Sequence, residues 1–175
     1  MTISLITTTG VDNAIGIGGE LIFRHNADRD RFVSLTGKNP VIMGRKTWDS
    51  IPVKYKPLND SRNIILSRNS NLNISGNYDS VYVATSPEQA IRFAEMAQGY
   101  DEIFVIGGAE IYRQFIPYTD KLYLTYVWTS FPSADTFFPM EELKAVKDMV
   151  VVSCEKFMSC PSFSFIDYNL ITKIN

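Results

Sequence analysis

The sequence is poor in residues that crosslink chains or hold metals. It has two cysteines, Cys154 and Cys160, and one histidine, His25, in 175 residues. Two cysteines are too few for a disulfide scaffold, and one histidine leaves few ligands for a soft metal. We therefore predict a reduced cytoplasmic protein without a resident metal, and we expect His25 at the surface.

Long hydrophobic runs are also missing. A membrane-spanning helix needs about 18 to 20 consecutive apolar residues, and the sequence has no such run. The apolar stretch at residues 1–6 has no basic segment beside it and leads into three threonines. That pattern indicates a strand rather than a signal peptide, so we expect no membrane association.

Size and composition indicate one globular domain over residues 1–175. Hydrophobic residues make up 45% of the chain and charged residues 21%, and the net charge is −2. This balance is typical of a folded protein and argues against one that coats nucleic acid. Residues 38–68 differ, because they hold seven basic and two acidic residues. They indicate either a site for a small anionic ligand or a solvated basic surface.

Short β-branched runs alternate with helical stretches, which predicts an α/β fold with a largely parallel sheet. After Asp120 the strand-like runs follow one another without helices, so antiparallel strands should complete the sheet. Asn26 and Ser86 are the expected helix N-caps, and residues 69–79 the expected surface loop. The predicted strands are 3–7, 41–43, 64–67, 81–84, 103–106, 122–127, 150–154 and 163–171, and the predicted helices are 27–36, one after Arg45, 87–98 and one near Glu110.

Two strand-to-helix junctions have the chemistry of phosphate binding. One carries Gly107 and Gly108, which let the backbone approach a ligand while the helix start favours an anion. The pair also suits a plain tight turn, because the third glycine of the dinucleotide fingerprint is missing. The other junction reads Gly-Arg-Lys-Thr at residues 44–47, and Ser67 with Arg68 should emerge at the same sheet edge. Together they suit a dinucleotide with an additional phosphate.

One acidic residue lies on an apolar helix face. In the first predicted helix, positions i, i+4 and i+7 are occupied by Asp28, Phe32 and Leu35. Asp28 could simply complement the helix N-terminus, but Asp30 can do so from the solvent side. A carboxyl turned toward the core would have a raised pKa suited to proton chemistry or to binding a cationic heterocycle. The glycine-rich segment 16–21 before this helix could be a lid or a flexible connection.

Several stretches, taken in chain order, carry a family resemblance. They are Ile-Ser-Leu-Ile at 3–6, Ile-Gly at 15–16, Asp28 with Phe32, the run 40–48, Asn-Ile-Ile-Leu-Ser-Arg at 63–68, Val-Ile-Gly-Gly at 105–108 with Tyr112, Leu-Tyr-Leu-Thr at 122–125, and Ala-Asp-Thr-Phe-Phe-Pro at 134–139. Together they resemble dihydrofolate reductases over nearly the whole chain. The resemblance implies a single-domain, mixed, mostly parallel eight-stranded sheet with an antiparallel C-terminal strand, flanked by four helices, whose adenosine-binding part spans about residues 39–100.

The resemblance also implies a reaction, the NADPH-dependent reduction of 7,8-dihydrofolate to tetrahydrofolate for one-carbon metabolism. Asp28 would bind the 2-amino and N3 edge of the pterin, with Thr125 bonded to the same carboxylate. Hydride would go to C6, and a proton from solvent to N5. Leu21, the last residue of the implied lid, and Phe23, beside it, complete the implied catalytic set. The implied substrate contacts are Ile6, Thr7, Asp28, Arg29, Phe32, Ile51, Leu58, Arg62, Ile106, Tyr112 and Thr125.

The implied cofactor is NADPH rather than NADH, because Arg45 or Arg68 could hold a 2'-phosphate. The basic and hydroxyl residues would hold the phosphates of the adenosine half, and the glycine pair would meet the pyrophosphate. The implied cofactor contacts are Thr8, Ile15, Gly16, Gly44, Arg45, Lys46, Thr47, Leu66, Ser67, Arg68, Ile106, Gly107, Gly108, Ala109, Glu110, Ile111 and Tyr112.

Three positions depart from the family pattern. Phe23 replaces a usual tryptophan and so lacks its indole N–H, and Ile22 replaces a usual proline. Ser61 falls where the family has the arginine that binds the α-carboxylate of the substrate's glutamate. We hypothesise that Arg62, shifted by one residue, or Arg29, beside Asp28, binds that carboxylate instead.

Two other functions share parts of the pattern. A pyrimidine reductase of flavin synthesis has the same sheet, but would not be expected to place an aspartate and a phenylalanine at i and i+4 on its first helix. A non-catalytic protein could keep NADPH or pterin binding, or a structural role, without turnover. We expect a monomer, because no coiled coil or long apolar tail is visible, and binding of 2,4-diaminopyrimidine antifolates through Asp28.

Overall fold

The protein is described by a computed structural model over residues 1–58, 62–69, 72, 74 and 78–174. Up to residue 127, helices separate most of the strands, as the sequence predicts, but β1 to β3 follow one another directly and no helix stands between β5 and β6 in the described residues. The predicted loop 69–79 falls largely outside the described residues. The strands are β1 (Thr2–Gly10), β2 (Ala14–Ile17), β3 (Glu20–Leu21), β4 (Val41–Gly44), β5 (Asn63–Leu66), β6 (Val81–Ala84), β7 (Glu102–Val105), β8 (Lys121–Val127), β9 (Thr136–Phe137), β10 (Lys147–Phe157) and β11 (Phe163–Thr172). The helices are α1 (Asn26–Thr36), α2 (Arg45–Ser50), α3 (Pro87–Glu95), α4 (Ala109–Phe115) and α5 (Met140–Val146), with 3-10 turns at Val53–Tyr55 and Ile116–Tyr118.

Within these residues, eight strands form the central sheet in the order β10-β11-β8-β1-β7-β4-β5-β6. The pairs from β8 to β6 are parallel, whereas β11 runs antiparallel to both β8 and β10. The predicted mixed, mostly parallel sheet with an antiparallel C-terminal strand is therefore confirmed. A small second sheet, β3-β2-β9, lies beside it.

The described part of the chain has five α-helices rather than the four expected. The additional helix, α5, lies between two strands where the pattern indicated no helix. It is only seven residues long, and it buries Met140 and Leu143 at i and i+3 behind two exposed glutamates. Such a short element gives little periodic signal. No helix in the described ranges is long and apolar enough to cross a membrane.

Side chains of the sheet alternate between two faces. On β4, Val41 and Met43 pack on one side, together with Trp48 of α2 and Phe32 of α1, and we call this side the α1 face. Ile42 packs on the other side, where α3, α4 and α5 bury their apolar residues. Burying a large aliphatic side chain stabilises a fold by roughly 1.5 to 3 kcal/mol, so both faces fix the sheet and the strand ends that it presents.

The start of α1 corrects one expectation. Asn26 was the predicted N-cap, but His25 has the extended backbone of a cap residue, and its Nδ1 accepts a hydrogen bond of 3.2 Å from the Ala27 amide. An imidazole nitrogen thus serves where a shorter side chain is commoner. His25 is exposed, as predicted. Ser86 caps α3 as expected and accepts from the Gln89 amide at 3.2 Å.

Strand β10 forms one edge of the large sheet and is not regular along its length. Its register with β11 shifts between Val151 and Ser153, which makes Val152 an additional residue of the strand. The three consecutive valines Val150, Val151 and Val152 are all exposed. The strand is also longer than predicted. Most of its side chains are exposed, and its apolar and polar residues do not alternate regularly.

Candidate active site

Asp28, in the first turn of helix α1, contacts two neighbouring strands of the central sheet. The Thr8 hydroxyl of β1 is 3.1 and 3.2 Å from the two carboxylate oxygens and donates to them. Thr125 of β8 is also hydrogen-bonded to the carboxyl. The two threonines are register partners across the parallel β1–β8 pair, so the sheet itself brings them to one carboxyl. Thr8, assigned to the cofactor from sequence, therefore contacts Asp28.

The environment of Asp28 raises its pKa. Burial is the largest cause, because it disfavours the charged carboxylate. Hydrogen bonds from Thr125 and Thr8 and the positive charge of Arg31 act in the opposite direction and are outweighed. The carboxyl faces inward, whereas Asp30 is exposed, as their positions on the helix predict. A carboxyl of this kind can exchange a proton closer to neutral pH than a surface aspartate does.

Apolar residues predicted to contact substrate pack together on the α1 face, which also carries Asp28's helix. Tyr112 differs, because its ring belongs to the opposite core. Its hydroxyl donates to the Ile6 carbonyl at 2.8 Å and is hydrogen-bonded to the Thr7 side chain, and burial raises its pKa above the usual value. The residues gathered on the α1 face are Ile6, Phe32, Ile51, Leu58 and Ile106.

Two predicted catalytic residues, at the end of segment 16–21 and just after it, have different surroundings. Leu21 is exposed, on the short β2–β3 hairpin. Phe23 is buried with Val127 and Phe163, and its ring stacks on His25 with 5.7 Å between the centroids. Phe23 thus packs on the main sheet, whereas Leu21 is exposed on the hairpin.

The two glycine-containing strand ends contact each other directly. The Gly44 amide donates to the Gly107 carbonyl at 2.8 Å. Gly107 has a φ of +97°, and a Cβ at that position would lie 2.8 Å from the Tyr112 ring. A Cβ at Gly44 would lie 2.9 Å from Ile111. Neither position can take a side chain without movement, so the two junctions form one tightly closed backbone surface.

Basic and hydroxyl groups surround this backbone surface. Strand β5 pairs with β4 so that Leu66 lies opposite Gly44, which brings Ser67 and Arg68 beside the start of α2. Among the described residues, no side chain caps Gly44 or Gly108 at their helix starts. This set of donors fits a phosphate-bearing dinucleotide. Of the other predicted cofactor contacts, Ile15, Leu66 and Ile111 are buried, Gly16, Thr47, Gly108 and Ala109 are half-buried, and Arg45, Lys46, Arg68 and Glu110 are exposed.

The lid segment is tied to the second sheet. Gly18 and Gly19 have φ values of +58° and +85°, and the Gly18 amide donates to the Asp135 carboxylate at 2.7 Å. The Asp135 amide in turn donates to the Gly16 carbonyl at 3.1 Å. The sequence indicated a lid or a flexible connection at residues 16–21 but gave no signal for this contact, because the partners lie 117 residues apart.

Asp28 held by two threonines, the apolar α1 face beside it and the glycine-lined basic edge together form the candidate active site. The family model described as dihydrofolate reductase matches residues 2–158. The chain belongs to the dihydrofolate reductase family.

Similar proteins carry the same family name. A dihydrofolate reductase of Haemophilus influenzae is 40% identical over 139 residues, covering 79% of both chains. One of Heliothis virescens is 37% identical over 146 residues, covering 78% of both chains. One of Staphylococcus haemolyticus is 33% identical over 151 residues, covering 86% of this chain and 84% of its own. This chain is accordingly an enzyme that reduces dihydrofolate.

Of the three departures from the family pattern, the one at Ser61 gave the hypothesis that Arg62 or Arg29 binds the substrate's carboxylate. Ser61 lies outside the described residues. The Arg62 guanidinium lies 4.7 Å from the Tyr82 ring centroid and 3.5 Å from the Phe93 carbonyl, on the face opposite Phe32. Arg29 is exposed and paired with Asp30 at 3.0 Å.

One cation on the reductase's α1 face was not identified from the sequence. The Lys56 ammonium lies 4.8 Å from the Trp48 ring centroid, and Trp48 is buried among the residues of that face. Sequence spacing gave no signal for it, because it lies in an irregular segment beyond the 3-10 turn. Lys56 is thus a second cation, after Arg29, available on the α1 side.

Proposed function

We propose that this enzyme reduces 7,8-dihydrofolate with NADPH and that Asp28 is the group that binds and orients the pterin. The observation that carries the proposal is the Asp28 carboxyl held by Thr8 and Thr125 at the apolar α1 face. A carboxylate can accept two parallel hydrogen bonds from the 2-amino and N3 edge of a pterin. The threonines would fix its orientation for that pairing.

The proposed proton chemistry needs no further acid at N5. With its pKa raised by burial, Asp28 would share a proton with the bound pterin and favour protonation at N5, the proton arriving from solvent. When bound, NADPH would supply the hydride for C6, so that the C6–N5 double bond would become a single bond. Leu21 and Phe23, at the lid, would limit the access of water to the pterin. Ile6, Phe32 and Ile106 would hold its ring.

The basic edge would hold the phosphates of NADPH. We assign the pyrophosphate to the backbone at Gly107 to Ala109, where the absence of side chains permits close approach. Arg45 or Arg68 would bind the 2'-phosphate, which NADH lacks. Residues of about 39–100 would thus form the adenosine-binding part of one domain, and the fit rests on the donors that surround Gly44.

The substrate's glutamate needs a cation in place of the one missing at Ser61. We propose Arg29, and Lys56 as the second position, because both lie on the α1 side. Arg29→Ala should raise KM for dihydrofolate by roughly one to two decades, the value of a charge-assisted contact, and leave pteridines without glutamate unaffected. Arg62→Ala serves as the matched charge removal and should change neither. A rise in KM with Arg62→Ala alone would contradict this assignment.

We further propose a cytoplasmic monomer that binds 2,4-diaminopyrimidine antifolates, with no nucleic acid or membrane partner. A protonated diamino ring would complete the same pairing with Asp28, so Asp28→Asn should weaken the inhibitor. The exposed, unpaired thiols of Cys154 and Cys160 suit a reducing compartment.

The deciding experiment follows loss of NADPH absorbance with dihydrofolate, beside Asp28→Asn and with NADH in place of NADPH. We expect turnover to fall by roughly two to four decades in Asp28→Asn and NADPH to be preferred. Undiminished turnover in Asp28→Asn would remove Asp28 from the mechanism. NADPH binding without turnover in the wild type would instead favour a non-catalytic protein.

A further inference from the structure

A second charged residue of α1 is fixed to the sheet one turn after Asp28. The Arg31 guanidinium forms an ion pair and hydrogen bond with Asp167 of β11, and the two side chains are 13% and 29% exposed. The same guanidinium lies 4.5 Å from the Phe165 ring centroid and 5.9 Å from that of Tyr123. Asp167 also accepts a hydrogen bond of 2.7 Å from the Ser153 hydroxyl. Both ends of the pair are thus held.

The sheet register explains how the two attachments of α1 are related. Thr8, Thr125 and Phe165 lie side by side on β1, β8 and β11. Two residues along, Ile6, Tyr123 and Asp167 form the next row of the same face. Asp28 is bonded to the first row and Arg31 to the second, so successive turns of the helix meet successive rows of the sheet.

We propose that Arg31 is a positioning residue for Asp28: bridged to Asp167, it fixes α1 so that the Asp28 carboxyl meets Thr8 and Thr125, and it sets the charge that this carboxyl experiences. This inference rests on the proposed role of Asp28. No covalent step is involved. Arg31 would act through Asp28 and not on the substrate.

The charged and polar groups that face Asp28 are few. Helix α1 contributes Arg31, and its cap contributes His25, while β1 and β8 contribute Thr8 and Thr125. Asp167 of β11 reaches Asp28 through Arg31, since it holds the guanidinium that both acids attract. Burial lowers the pKa of Arg31, but a guanidinium stays protonated at working pH. One cation is therefore shared between two carboxyls.

Sharing predicts opposite effects for the two partners. Asp167→Asn removes the competing acid, so Arg31 would stabilise the Asp28 carboxylate more strongly and lower its pKa. Arg31→Met removes the cation and leaves Asp167 unpaired, so the Asp28 pKa would rise. A pair that merely stabilised the fold would, when broken, loosen Asp28 in the same way whichever partner was changed.

The test is a titration of Asp28 itself. The full-length protein is labelled with carbon-13 at aspartate side chains, Asp28 is assigned by its loss in Asp28→Asn, and its carboxyl resonance is followed against pH. We expect the midpoint to move by roughly half a pH unit or more, downward in Asp167→Asn and upward in Arg31→Met. Midpoints that move in the same direction, or not at all, would overturn the proposal.

Two variants complete the design. The double change Arg31→Met with Asp167→Asn keeps the shape of the pair without its charges and should give a rise smaller than Arg31→Met alone. Asp30→Asn removes an exposed acid of the same helix and should leave the midpoint in place. If one of the single variants unfolds, the titration of the double variant still tests the proposal, because the double variant buries no unpaired charge.

The titration also separates this inference from the proposed function. Loss of turnover in Asp28→Asn tests whether Asp28 serves the reaction, and it does not involve Arg31. The Asp28 midpoint can be measured without substrate or cofactor. The Arg31→Lys variant keeps the positive charge, so its Asp28 midpoint should stay close to that of the wild type. Its kcat should fall, because the planar contact with Phe165 is lost. A lower kcat in Arg31→Lys together with a midpoint shifted as far as in Arg31→Met would contradict a positioning role.

Discussion

The amide of Gly18, at the tip of the lid, donates a 2.7 Å hydrogen bond to the carboxylate of Asp135, which lies beside the second sheet. Asp135 also accepts from the Thr136 hydroxyl at 2.7 Å, and these hydrogen bonds lower its pKa. The conformation of segment 16–21, the proposed lid, thus depends on an anion that stays charged at neutral pH.

We expect Asp135→Ala to release the lid. The hydrogen bond to Gly18 would be lost, the lid would spend less time closed, and the hydride-transfer rate should fall several-fold while the unfolding midpoint changes little. Single-turnover kinetics with NADPH and dihydrofolate would measure this rate. Asp148→Ala, which removes an exposed acid far from the lid, is the control. Equal rates in Asp135→Ala and wild type would show that the contact does not govern closure.

Gly107 should be intolerant of any side chain. Its Cβ would meet the Tyr112 ring at 2.8 Å, and its φ of +97° is unfavourable for other residues. Gly107→Ala should therefore lower the free energy of unfolding by about 1 to 3 kcal/mol. Gly99→Ala is the matched control, because Gly99 also has a positive φ, +68°, but faces open space among the described residues. Comparing the urea unfolding of the two variants isolates the effect of the contact with Tyr112. Equal losses of unfolding free energy in the two would contradict the steric explanation.

The raised pKa of Asp28 makes stability depend on pH in a defined direction. The unfolded carboxyl titrates near 3.8, and burial moves the folded value upward. Between the two values the folded protein binds more protons than the unfolded chain, so stability falls as the pH rises through that window and remains lower above it. The Asp28→Asn variant has no ionisable group at this position, so its stability lacks this dependence on pH.

Asp28→Asn should accordingly be more stable than the wild type at about pH 7, and the difference should shrink as the pH falls toward about 4. Urea unfolding at several pH values measures this difference. The exposed acid changed in Asp30→Asn should give no such pH dependence. A stability gain that persisted unchanged at low pH would mean that desolvation of Asp28 is not its source.

The preference for NADPH should depend on the basic edge. Arg45→Ala or Arg68→Ala should reduce the ratio of kcat/KM for NADPH over NADH by about one to two decades, the value of a charge-assisted contact with phosphate. The change should appear mainly in KM. Lys38→Ala, an exposed cation of the same basic segment, should leave the ratio unchanged. An unaltered ratio in both arginine variants would place the 2'-phosphate elsewhere.

Local pattern was sufficient for some features of the fold and site. Strand β6 matches its predicted bounds, and the inward turn of Asp28 follows from spacing along one helix. These features depend on residues a few positions apart. The antiparallel C-terminal strand and the meeting of the two glycine junctions also follow from general rules of sheet construction and from the family resemblance.

Other features depend on partners that sequence spacing does not reveal. Thr8 meets Asp28 because β1 lies beside β8, and Arg31 is half-buried because Asp167, 136 residues away, neutralises it. The face on which the Arg62 side chain lies follows the alternation of side chains in β5, which begins at the next residue. The hypothesis of a one-residue shift did not take this alternation into account. An arginine next to an expected position in the sequence can therefore lie on the opposite face of a sheet.

The additional residue in β10 has a consequence for how copies of the protein behave when crowded. A long exposed edge with three consecutive valines would be a template on which a second molecule could extend the sheet. At Val152 the ladder loses its regular repeat, and such a bulge bends the strand and increases its twist. A strand from another molecule, once aligned with one half of β10, would be out of step with the other half. The irregularity thus limits fibre-like growth without requiring a charged residue among the valines.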